Sequence, residues 1–288
     1  MARWDVWPYP TDKPPFGAIL NPDCALNRGK VGCWLFNEGA GGCACNMVDG
    51  KALHGKVGWS GQGVTFDGST MSVQAPTVGL YDVGSNDFSV IVKYYSVNVQ
   101  DTADYGRIVS AQADNGSPYA GWSLYHYYGY PTTSFNDGAG YGFSNELFPG
   151  REPLGYVWIC LGLTVNRTTG ILTKYQISPV GGNTLLSETK DISAMTGALS
   201  SNPPSTFSIG QRADASSAFL SGGVAYVKLH IGQVLSAAEV LALYREPYGL
   251  DQYWVPGIEI YYSIASAGII FRRNQQLRTG SRSPMGVF

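Results

Sequence analysis

The chain has 288 residues, of which 44% are hydrophobic and only 14% charged, against a usual charged share of about 25%. That is ample for a core, and a net charge of −2 supplies no global attraction to nucleic acid or to a membrane surface. The 37 glycines and 19 tyrosines suit many turns and aromatic strands better than helices.

Residues 1–27 read as an extended aromatic, proline-rich arm. Pro8, Pro10, Pro14, Pro15 and Pro22 exclude regular helix and central strand. Trp4, Trp7, Tyr9 and Phe16 are too aromatic for a plain linker. Two readings stand level: an arm packed along its own domain, or one that orders against a neighbouring subunit. Met1-Ala2-Arg3-Trp4 leads into this polar segment and not into an apolar leader. The longest apolar run, 260–271, falls short of the ~20 residues that a spanning helix needs. The expectation is a protein made in the cytoplasm without membrane insertion. The five cysteines, four of them within residues 24–45, are odd in number and lack a paired C-x-x-C knuckle, which predicts reduced thiols and argues against zinc.

Residues 28–73 organise the rest. Val31, Cys33 and Leu35 alternate with Trp34 and Phe36 in a strand that stops at the glycine-rich Asn37–Gly42 turn. A second strand through Val64 and Phe66 meets Asp67-Gly68 and continues through Met71 and Val73, a pattern that predicts a tight hairpin. Residues 86–96 form a strand with Phe88, Val90 and Val92 on one face, and 106–111 a shorter one. The intervening Asp101 and Asp104, with Asp114 beyond, offer oxygen ligands of the kind calcium takes. Their spacing is not that of a dedicated loop, and solvated turns account for them equally, so no cofactor is required.

Residues 119–130 are the most aromatic stretch. A strand there puts Trp122, Leu124, His126 and Tyr128 on one side and Tyr125 and Tyr127 on the other. Such faces suit sugar stacking and protein contacts, and core packing with cross-strand pairs explains them as well. Trp122, Tyr125, Tyr127 and Tyr128 are the candidate glycan- or partner-binding residues. Residues 154–165 give the longest apolar strand, joined by an Asn166–Gly170 turn to 171–177. Strands over 205–211 and 222–231 precede a helix whose start is marked by Ser236 with Glu239 three residues on. Val240, Leu241, Leu243 and Tyr244 follow at helical spacing, and Pro247 ends it.

Trp34, Phe36, Asn37, Glu38 and Gly39, then Phe66, Asp67, Gly68 and Val73, resemble the opening of a LamG-like, concanavalin A-like jelly-roll domain. Trp158 and Asn166 lie near the places of that family's central hairpin, with Ile159 and Cys160 where its histidines usually stand. Residues 205–211, 222–231 and the LSAAEVLALYREP helix resemble its closing elements. The resemblance covers residues 28–247. It implies an all-β, two-sheet antiparallel sandwich with one short C-terminal helix and extended N- and C-terminal arms. Residues 248–288 lie outside it: β-prone segments with Tyr261, Tyr262 and Phe271, then an arginine-rich tail with Arg272, Arg273, Arg278 and Arg282. A basic stripe of that kind can bind nucleic acid, but without lysines or interleaved aromatics an acidic protein surface fits it as well.

No E-x-D-x-E strand, G-x-S-x-G or H-E-x-x-H is present, and the histidines (His54, His126, His230) are dispersed, so the expectation is a protein that is not an enzyme. The aromatic lead-in, the S-A-A-E helix and the Arg/Gly/Ser tail look like those of LamG-like domains of tailed bacteriophages. That resemblance implies a structural virion protein, a capsid decoration, head-fibre or tail accessory component that contacts capsid or tail proteins, sister subunits and cell-surface glycans. Its attachment contacts would be Trp4, Trp7, Tyr9, Phe16, Tyr261, Tyr262, Phe271, Arg272 and Arg273. A stand-alone carbohydrate-binding module is the alternative, and a polysaccharide-degrading enzyme a more distant one.

Overall fold

The computed structural model describes residues 4–6, 9, 11–97, 106–112, 120–127, 130–139, 142–146, 156–200, 206–212, 218–249, 252–256, 261–265 and 268–272. Strands run in chain order as β1 (Trp4–Val6), β2 (Ile19–Leu20), β3 (Lys30–Trp34), β4 (Cys43–Cys45), β5 (Ala52–Lys56), β6 (Gly58–Ser60) and β7 (Gly63–Asp67). There follow β8 (Ser72–Gln74), β9 (Phe88–Ser96), β10 (Gly106–Ser110), β11 (Gly121–Tyr127), β12 (Tyr130–Asn136), β13 (Gly142–Glu146) and β14 (Ile159–Asn166). The last are β15 (Ile171–Ile177), β16 (Leu186–Asp191), β17 (Ser208–Ile209), β18 (Ser221–Ile231), β19 (Tyr253–Pro256), β20 (Tyr261–Ala265) and β21 (Gly268–Arg272), with helix α1 (Ala237–Arg245) after β18.

The fold is the expected two-sheet antiparallel jelly-roll sandwich. One sheet has the order β13-β12-β11-β10-β17-β8-β5-β4, and the other β16-β15-β14-β9-β18-β7-β6, with β3 also on β18. Between them lies an apolar interior in which Trp34 stacks on Phe207 at 5.0 Å and Phe88 meets Trp122 at 5.2 Å. Val90, Val92, Ile159, Leu161, Leu163 and Val165 fill its centre, on the faces that period-2 alternation assigns them.

The eleven-residue β18 is the central strand of the second sheet. It pairs with β9 along one edge, and with β7 and then β3 along the other. A register shift between Val224 and Tyr226 marks a bulge. The extra residue changes the alternation, so that Val224, Val227 and Leu229 face the sandwich interior while Ala225 and Tyr226 face outward.

That outward face is itself covered. A second apolar cluster holds Cys33, Leu35, Ile91, Cys160 and Tyr226 of the sheet against Val240 and Leu243 of α1 and Tyr253 and Val255 of β19. Helix α1 starts with the predicted capping box: Glu239 N–H donates to Ser236 Oγ and Ser236 N–H to Glu239 Oε2. A small sheet of order β1-β19-β2 ties the two ends of the chain together.

Two expectations change here. Asp67-Gly68 does not close a hairpin, because β7 joins the second sheet and β8 the first. The Asp67 carboxylate accepts from the N–H groups of Ser69, Thr70 and Met71 and from the Thr70 hydroxyl. Gly68, at φ +77°, sends its N–H to Leu220 O. The result is an arch between sheets, since local turn chemistry fixes the reversal and not the partner strand. The boundary drawn after residue 247 also divides a packed unit, because Tyr248 and Tyr253 are buried in the second cluster and Gln252 is 0% exposed.

Leu229 is 0% exposed in the inter-sheet core. Leu229→Ala is expected to lower the unfolding free energy by about 2–5 kcal/mol, measured by urea denaturation.

Candidate functional site

The aromatic strand singled out from sequence is β11, and it is largely interior. Trp122 is 0% exposed and packs on Phe88 and Phe207. Tyr125 is 4% exposed, with the Arg107 guanidinium stacked 4.0 Å above its ring. As a glycan-stacking face these two are corrected to packing residues, because a ring without accessible surface cannot meet a sugar. Tyr127 is half-buried, 6.5 Å from Tyr125. Tyr128 lies outside the described residues, as do Asp101, Asp104, Asp114, Trp7 and Arg273.

Of the attachment candidates, Tyr9 is half-buried against the second cluster, which fits the reading of an arm packed on its own domain. Phe16 is 66% exposed. Trp4 lies in β1, paired with Pro256. In the β20–β21 hairpin Tyr261 pairs with Arg272 and Tyr262 with Phe271.

A cleft of about 720 Å³ lies on the outer side of the second sheet. Its floor is Lys93 of β9 and Ala225 of β18; its walls are the Thr11–Lys13 segment, the Gly61-Gln62 turn, Gly182-Asn183 and the end of α1 with Tyr244 and Arg245. The W-x-F-N-E-G motif supports the Thr11–Lys13 wall from behind. Phe36, at φ +51°, turns its carbonyl to accept from Lys13 Nζ at 3.1 Å, and Asn37 Nδ2 donates to Pro14 O at 2.8 Å. Burial pushes the Lys13 amine down to about 8, with Glu38 opposing that shift and Lys93 adding to it. Across the cleft Tyr244 O–H donates to Asn183 Oδ1 at 2.5 Å, which leaves the Asn183 amide N–H groups directed elsewhere. Sequence reasoning named none of these as site residues, because they come from six separate segments.

Beneath α1 and β19 lies a polar cluster. Lys228, 0% exposed, donates to Pro247 O and to Gln252 Oε1 at 3.0 Å. Gln252 Nε2 donates to the Glu246 and Gly249 carbonyls. The Gln252 carbonyl accepts from Asn21 N–H and from Asn27 Nδ2. Burial, then neighbouring Lys30, lowers the Lys228 amine to about 7. His230 Nδ1 lies 3.0 Å from the Arg28 carbonyl, which can only accept, so Nδ1 carries the proton. Burial and Lys30 lower the imidazole to about 3.

Several carboxylates hold backbone N–H groups. Asp137 accepts from Thr196 and Gly197 N–H, Asp87 from Arg167 N–H and Asp191 from Ser193 N–H. Among the described residues no group of three His, Cys, Asp or Glu side chains is arranged for a metal. One feature had no sequence signal: Cys43 Sγ and His54 Nδ1 stand 3.2 Å apart across β4 and β5. All five cysteines are free thiols.

No protein-family model matches this chain, and no curated protein matches it. Its architecture does have solved counterparts. The binding domain of Paraclostridial Mosquitocidal Protein 1 superposes with a TM-score of 0.54 at 14% identity, covering 76% of this chain and 52% of that one. The binding domain of botulinum neurotoxin DC in complex with SialylT gives 0.56 at 13%, over 87% and 63%. Trypanosoma rangeli sialidase in complex with sialic acid gives 0.52 at 13%, over 77% and 34%. These likenesses establish the fold. This chain spans about half of the mosquitocidal protein's binding domain and a third of the sialidase.

The buried amines make stability depend on pH. Below about 7 Lys228 is protonated in both the folded and the unfolded chain. Above that the folded amine is neutral while the unfolded one holds its proton to about the ordinary lysine value of 10.5, so folding gains as pH rises. Lys13 adds the same sign above about 8. Burial holds the Cys160 thiol up at about 11 against an ordinary 9.0, which opposes the trend above pH 9. The melting temperature is therefore expected to rise from pH 7 to pH 9, and Lys228→Met to flatten that slope, both read by scanning calorimetry.

Proposed function

We propose that this protein is a non-catalytic binding and attachment protein, a lectin-like sandwich displayed on a bacteriophage particle as a capsid or tail accessory component. One observation carries the binding part. The space between the sheets is filled by fully buried rings such as Trp34, Trp122, Phe88 and Phe207, so recognition falls to the outer surface, where donor side chains line a formed cleft. The described carboxylates that hold backbone N–H groups offer no acid/base pair. The mosquitocidal and neurotoxin counterparts are themselves binding domains, which supports the same reading. The particle setting rests on the sequence resemblance to phage-encoded domains, and on the β20–β21 hairpin that follows the packed unit. Capsid or tail proteins, sister subunits and cell-surface glycans are the partners this reading requires.

A stand-alone carbohydrate-binding module is the second reading. It is favoured by the way Trp4–Val6 and Tyr253–Pro256 pack onto their own domain, through the β1-β19-β2 sheet and the Lys228–Gln252 contact.

Co-sedimentation separates the two. The full-length chain is expected to pellet with particles lacking it, and a full-length Tyr261→Ala, Tyr262→Ala, Phe271→Ala variant to pellet at least ~10-fold less, a loss of about 1.4 kcal/mol. If neither pellets while both bind glycans on an array, the virion placement is wrong and the module reading replaces it.

A further inference from the structure

The cleft over the second sheet has a chemistry of its own. Three cationic side chains reach it from three separate elements: Lys13 from the N-terminal segment, Lys93 from β9 and Arg245 from the end of α1. Lys93 is half-buried in the floor, and among the described residues no hydrogen bond or ion pair of its ammonium is found, nor of the Arg245 guanidinium. Lys13 has only the Phe36 carbonyl, 3.1 Å away. Glu38 offsets part of the charge at Lys13, but like charges held together still cost free energy, and a structure carries that cost most readily where an anion relieves it.

The neutral groups at the rim fit a polyhydroxylated ligand. Asn183, at φ +59°, is fixed through its Oδ1 by the Tyr244 hydroxyl, so its Nδ2 remains a donor beside the opening. Gln62 on the opposite rim adds an amide that both donates to and accepts from hydroxyl groups. The ring of Tyr244, half-buried at the wall, gives an apolar edge of the kind that packs on a pyranose. The single lining carboxylate, Asp12, is exposed, against three cations. A volume of about 720 Å³ lies within the ~300–1,000 Å³ typical of small-ligand sites.

We infer that this cleft is a recognition site for an acidic saccharide, its carboxylate or sulfate lying between Lys93, Lys13 and Arg245 and its hydroxyls on Asn183 and the rim. The assignment rests on the binding reading above and names its ligand class. An acidic peptide shares the charge but not the hydroxyl pattern that Gln62 and Asn183 answer.

Calorimetric titration of the full-length chain tests it with four probes: trigalacturonic acid, a sulfated disaccharide, uncharged maltotriose and hexaglutamate peptide. Either acidic sugar is expected to bind at least ~10-fold more tightly than maltotriose, with an affinity that falls as salt rises. Lys93→Ala and Arg245→Ala are each expected to weaken it ~10-fold, about 1.4 kcal/mol, with the melting temperature unchanged as the control for folding. Binding of maltotriose equal to that of the acids, tighter binding of hexaglutamate, or indifference to both substitutions would overturn the assignment, and so would binding of no probe. Particle or array binding that persists in the Lys93→Ala, Arg245→Ala double variant would remove this cleft while leaving the binding function in place.

Discussion

Lys228 sits in the middle of the longest strand with no access to water, and the rest of the architecture answers to it. An amine removed from solvent is costly unless its donors are met. Here they are met by Pro247 and Gln252, beyond the end of α1. Gln252 in turn accepts from Asn21 and Asn27 near the start of the chain, and Asn27 Oδ1 accepts from Lys30 Nζ at 2.6 Å. One desolvated group thus ties both ends of the sequence to the central sheet, and breaking any link strands buried polar atoms instead of returning them to water.

That constraint explains why the molecule has three layers where a plain sandwich has two. With Lys228 and Tyr226 directed outward by the bulge, the outer face of the second sheet must be covered, and α1 with the β1-β19-β2 sheet does so. The cover is incomplete over Lys93 and Ala225, and that gap is the cleft. In its walls Lys13 donates to the Phe36 carbonyl and the Tyr244 hydroxyl to Asn183. Side chains held in this way lower the ordering cost of any association they take part in.

Much of the sandwich was legible residue by residue. The alternation of Phe88, Val90 and Val92, and of Ile159, Leu161, Leu163 and Val165, placed those side chains on the interior face they occupy, because a strand's period leaves only two choices. Ser236 and Glu239 announced the helix start, since a capping box is closed within four residues. The Asp67 turn was legible only in part. Its hydrogen bonds are local and were foreseeable, but the strands it joins belong to different sheets, a fact decided by pairing with β18 and β17 far away in sequence.

The functional surface was the least legible part. Aromatic content drew attention to β11, where Trp122 and Tyr125 prove to be packing residues; a sequence shows that a ring wants burial or a partner, and not which of the two it receives. The cleft residues carry no common motif, since Lys13, Gln62, Lys93, Asn183 and Arg245 are brought together only when five segments meet over one sheet. By itself, then, the sequence determined the all-β class, the strand faces and the single helix, because these follow from short-range periodicity and local hydrogen bonds. Only the tertiary structure decided which strands share a sheet, which face of β18 is covered, and where Lys13, Lys93 and Arg245 converge, because those depend on contacts between residues far apart in the chain.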